Sequence, residues 1–86
     1  MASEFPSKHK AHSLAEMKPG DAGIIENYQD DLASVPLMEL GFLPGAMVRM
    51  YSIAPFGDPL TFELGGAMMS LRKTDAANVL LKQRTP

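Results

Sequence analysis

The sequence predicts a mainly β protein: a small five-stranded barrel with one or two short helices. Three observations predict it. Leu60-Thr61-Phe62-Glu63-Leu64 alternates apolar and polar residues, the period of a half-buried strand. Gly and Pro, seven of each, fall between such stretches at short intervals and mark sharp turns. The chain has 86 residues, enough for one domain and one small core, and closing a sheet on itself removes free edges.

The elements follow in order. Residues 1–12, "MASEFPSKHKAH", hold few apolar groups and read as a flexible leader ahead of a domain over 13–84. Ser13 with Glu16 three residues on has the pattern of a capping box, with Leu14 and Met17 turned to the core. Lys18-Pro19-Gly20-Asp21 is a turn. Ala22 to Tyr28, rich in β-branched and aromatic residues, is the first strand. After a polar loop, "SVPLMELG" is a short helix: Ser34 or Val35 caps it, Pro36 lies in its first turn, and Gly41 ends it in a left-handed conformation. Leu37 and Leu40, three apart, share its apolar face.

Ala46 to Ile53 is the second strand, with Val48 and Met50 on one face and Met47, Arg49 and Tyr51 on the other. "APFGDP" connects it to the third, using Gly57 for a backbone angle closed to other residues and Asp58 to bond local backbone in the turn. Gly65-Gly66 is a hairpin turn into "AMMSLR", where Met69 and Leu71 face inward and Met68 outward. Thr74 caps a single helical turn, "TDAAN", before a last short strand, "VLL".

Composition excludes several function classes. Net charge is -2 with both signs scattered, so nothing suggests nucleic acid or an anionic membrane surface. There is no Cys, hence no disulfide and no thiolate metal site, which fits a reducing compartment. The longest apolar runs fall far short of the ~20 residues that cross a bilayer, and the leader lacks the apolar stretch of a signal peptide. The expected location is cytoplasmic, with no membrane insertion. No nucleophile has a rigidly placed base, and no Gly-rich loop with a Lys cradles phosphate, so the chain reads as not an enzyme.

The two histidines, His9 and His12, are three apart and, with Glu4 or Glu16, have the makings of a first-row metal site for Fe2+ or Zn2+. Ordering a flexible leader opposes such binding, so weak or adventitious metal is the expectation and no cofactor is required. A proline-helix groove is not expected, since there is no Trp, although Phe42 or Phe56 stands as a surface candidate. Seven Met residues is high for this length, and most fill core gaps. Met47 and Met68 lie on the outward side of the alternation and, with Tyr51 and Phe56, form the candidate partner-binding patch. Arg72 completes it, or pins the fold to Asp75 or Glu39.

Leu40-Gly41, Pro44-Gly45, Ala54-Pro55, Gly57-Asp58-Pro59, Leu71-Arg72 and Ala76, with the turn at Lys18 to Asp21, together resemble the FeoA family over Ser13 to Leu81. The family often carries basic residues just ahead of the "LxxLG" motif, where this chain has Val35-Pro36. The resemblance implies an SH3-like β-barrel. It also implies an accessory or regulatory role in ferrous iron uptake, binding the cytosolic region of a FeoB-type membrane transporter; the sequence leaves a homo-oligomer open. The alternative is a small sensor that binds a divalent metal. A DNA-linked metalloregulator is disfavoured, because no helix-turn-helix or basic recognition segment accompanies the module.

Overall fold

The computed structural model describes residues 11–83 of the chain. A single 3-10 turn, Leu14–Glu16, leads into β1 (Ala22–Tyr28), α1 (Val35–Leu40), β2 (Met47–Ile53), β3 (Leu60–Leu64), β4 (Ala67–Leu71), α2 (Lys73–Ala77) and β5 (Val79–Leu81). All neighbouring strands pair antiparallel, in the order β4-β3-β2-β1-β5. The five short strands and two short helices are those the Gly and Pro punctuation predicts.

Strand alternation builds the core. Val48 lies opposite Leu64 and Met50 opposite Phe62, so β2 and β3 bury one face together. Ile25 of β1 and Val79 and Leu81 of β5 continue it, and Leu14 and Met17 close over it from the 3-10 turn. Met69, opposite Phe62, packs against this core while staying half-buried, because β4 has a neighbour on one side alone.

The sheet is not closed, which corrects the expectation of a sealed barrel. β4 and β5 remain its two edges, and α2 makes the connection between them instead of a ladder. The β5 edge is partly covered. Ser13 bridges Leu80, and the Leu81 amide donates to the His12 carbonyl at 2.9 Å. Gln83 Nε2 donates to the Ala11 carbonyl at 3.1 Å, so hydrogen bonding reaches into residues the sequence assigns to the leader.

Two caps differ from the sequence expectation. The Ser13 hydroxyl makes no cap bond, whereas Glu16 Oε1 accepts the His12 amide at 2.8 Å, leaving half a capping box. α2 starts two residues early, with Arg72 rather than Thr74 at its N-cap. Its first amide, from Lys73, is taken by Asp58 Oδ1 at 2.9 Å. Asp58 therefore bonds backbone fifteen positions away rather than its own turn. One carboxylate joins the β2–β3 connection to the start of α2.

Gly57 stands in that connection at φ +89, in a conformation that side chains rarely adopt. Gly57→Val should lower stability by about 1–3 kcal/mol through backbone strain, although a Cβ there would meet nothing within 4 Å. Chemical denaturation measures it, and an unchanged midpoint would remove strain as the reason for glycine at this corner.

Candidate functional site

One concavity among the described residues is an apolar groove of about 510 Å³, lined by Leu40, Gly41, Ala46, Met47, Leu64, Gly65 and Met69. Its position follows from how α1 ends. Gly41 at φ +106 donates its amide to Met38, and Phe42 donates to Leu37 at 3.1 Å, the paired bonds of a Schellman motif. The reversal drives Phe42 inward to full burial and leaves Leu40 and Leu43 each 47% exposed. A Cβ on Gly41 would sit 3.4 Å from Leu64 Cδ2, so the helix end approaches β3 closely here. Ile25 then takes the start of β2 in hand, accepting from the Gly45 amide at 2.7 Å and donating to Ala46 at 3.0 Å. None of the seven lining residues carries a charge.

Phe42 is thus a core residue, not the surface candidate the sequence left open. Its ring packs edge-on against Phe62, with centroids 6.3 Å apart and planes at 82°. Its carbonyl accepts the Tyr28 hydroxyl at 2.6 Å. Burial first, and the Asp31 carboxylate second, hold that hydroxyl above its ordinary pKa of 10.0. A folded-state value raised in this way contributes stability below the unfolded pKa and loses it as pH rises through the folded one. The denaturation midpoint should therefore fall as pH rises above about 10, and Tyr28→Phe should flatten that part of the profile. An equal fall in the variant would assign the loss to other groups.

The five expected patch residues are all exposed and are spread along the length of the sheet. Met47, 52% exposed, lies on the groove at the first residue of β2. Tyr51 follows on the outer face of the same strand. Phe56, 99% exposed, tops the connection beyond its far end. Arg72 stands exposed at the β4–α2 junction, near that far end because Asp58 bonds Lys73. Seven residues of strand, roughly 20 Å, separate Met47 from that end. Met68 lies across from Glu63, which lies across from Arg49, on the outer face. The outer sheet face is thus a mixed surface with a central charge pair of opposite sign.

Leu40, Gly41, Ala46, Leu64, Gly65 and Met69 are the groove residues that sequence reasoning missed. Helical spacing puts Leu40 with Leu37 on one apolar face, yet α1 has six residues and only Leu37 is buried. The signal was Gly41 directly after Leu40: a helix that reverses there leaves its last side chain at the rim.

Of the candidate metal ligands, His12 is exposed, next to the Glu16 carboxylate that accepts its amide. His9 lies outside the described residues. Among the described residues no three His, Cys, Asp or Glu side chains cluster to hold an ion. No helix among them is long and apolar enough to cross a membrane.

The family model described as the FeoA domain matches residues 12–83. The chain belongs to the FeoA family. This family is associated with ferrous iron transport and is not a known enzyme family. The Stenotrophomonas maltophilia FeoA, solved with zinc, is similar at 32% identity over 84% of this chain and 91% of that one, with a TM-score of 0.73. It is described as a procaryotic SH3 domain protein proposed to act as a ferrous iron transport activating factor. A FeoA-like protein from Clostridium acetobutylicum shares the fold at 24% identity and a TM-score of 0.77, over 91% of this chain and 92% of that one. A manganese-dependent transcriptional repressor shares it at 16% identity and a TM-score of 0.75, over 91% of this chain and 39% of the repressor. The SH3-like fold implied by the FeoA motifs is therefore present, in its open form.

Proposed function

We propose that this FeoA-family chain is a non-enzymatic accessory protein of ferrous iron uptake. In this reading it works in the cytoplasm and docks on the cytosolic region of a FeoB-type transporter. The observation that carries the reading is the charge-free groove between the end of α1 and the β2–β4 edge of the sheet, with Leu40 and Met47 half-exposed at its rim. Apolar anchors beside a preformed concavity are what a protein partner uses at the centre of an interface. Met47 is the central anchor. Tyr51 and Met68 extend the contact onto the outer sheet face, while Phe56 and Arg72 stand at its distant margin.

No cofactor is required for this role. Divalent metal at His12 and Glu16 is an incidental property, since two ligands alone hold a first-row ion weakly. The test is calorimetric titration of the full chain into the purified cytosolic region of the transporter. Saturable binding without added metal is expected. The absence of binding at roughly 100 μM would overturn the reading, since an affinity weaker than that is worth little more than about 5 kcal/mol.

A further inference from the structure

We infer that β4 is a self-pairing edge, joining two copies of this chain in an antiparallel β4–β4 ladder. The open sheet has two edges and treats them differently. β5 has three residues and is bridged by Ser13, with His12 accepting the Leu81 amide. β4 has five residues, Ala67–Leu71, and among the described residues no strand pairs with its outer side. Natural proteins blunt free edges with Lys, Pro or a bulge. Ala67–Leu71 contains no charged residue and no Pro, and its pairing with β3 runs through five successive residues without a register shift. Met68 is 53% exposed on one side of this edge and Met69 lines the groove on the other, so an apolar side chain stands on each face beside it.

Charge selects the occupant and the direction. With Met69 on a two-fold axis, Met68 of each copy faces Ser70 of the other, and Ala67 faces Leu71. The cations Arg72 and Lys73 then fall beside the uncharged Gly65-Gly66 turn of the other copy. A parallel pairing would instead set Arg72 and Lys73 beside their own counterparts, at an electrostatic cost. The two-fold antiparallel arrangement is also the closed, isologous one, so association stops at two. This inference does not rest on the transporter reading, and the two contacts compete, because Met68 and the groove residue Met69 belong to both.

Sedimentation velocity of the full chain over a range of concentrations, paired with amide hydrogen exchange, tests it. A monomer–dimer equilibrium is expected, with amides of residues 67–71 exchanging more slowly as the dimer fills. Met68→Lys should raise the dimer dissociation constant at least tenfold, because the two new ammonium groups become diagonal neighbours of like charge across the axis. The single subunit keeps its fold, since Lys at 68 lies opposite Glu63 within the sheet. Ser70→Lys, across the axis from Met68, should act alike. A chain that is monomeric at every concentration overturns the inference, as does a dimer that both substitutions leave intact.

Discussion

Replacing Phe42 by alanine should cost about 3–5 kcal/mol and leave a large part of the protein unfolded without denaturant, the range for truncating a buried aromatic ring. Phe42 is 0% exposed, packs edge-on against the equally buried Phe62, and holds the Tyr28 hydroxyl through its carbonyl. A domain of this size has a small core and stands near the lower end of the 5–15 kcal/mol range of folding stability, so a loss of this order is most of what it has. Removing the ring also frees the segment that turns the chain from α1 into β2, which is the wall of the groove. Urea denaturation measures the cost. Phe56→Ala is the matched control: that ring is 99% exposed, so its loss should stay within about 0.5 kcal/mol. If the two variants unfold at the same denaturant concentration, Phe42 is not the core residue its burial makes it.

Met47→Glu should weaken binding to the transporter's cytosolic region by roughly 30-fold or more, the equivalent of about 2 kcal/mol at a central anchor. The groove lining is uncharged, so a carboxylate carried into the contact loses its water without gaining a partner. The folded state should tolerate the change, because Met47 is 52% exposed at the start of its strand. Arg72→Ala, at the other end of the sheet, should change affinity by less than about 0.5 kcal/mol, with a difference that shrinks as salt rises. Equal affinity for Met47→Glu and the wild-type chain would place the interface elsewhere. A larger loss for Arg72→Ala would move it to the end where Phe56 stands.

The architecture was largely legible because its signals are local. Alternation in Leu60 to Leu64 needs only five consecutive residues to declare a buried face, and the structure buries Leu60, Phe62 and Leu64. Pro36 marks the first turn of a helix and Gly41 its end, and α1 runs from Val35 to Leu40. The docking site was less legible. Alternation places Met47 and Met68 outward, where the structure exposes both, yet the groove is assembled from α1, β2, β3 and β4, and no spacing along the chain signals that meeting. Leu40 illustrates the limit: helical periodicity assigns it to the side of Leu37, and only the reversal at Gly41 carries it to the rim.

From the sequence alone came the strand and turn order, the faces of β2 and β3, the lack of any recognisable catalytic motif, and the pattern shared with the FeoA family. The tertiary structure alone decided that the sheet stays open, that Phe42 is core, that Asp58 takes the Lys73 amide, and that one sheet edge is covered while the other is bare. The division has one physical cause. Backbone preference and side-chain alternation act between residues a few positions apart, so they are written in short stretches. Burial of a loop residue, the partner of a carboxylate fifteen positions away and the covering of an edge depend on which distant segments come to lie together, and that is settled only when the whole chain packs.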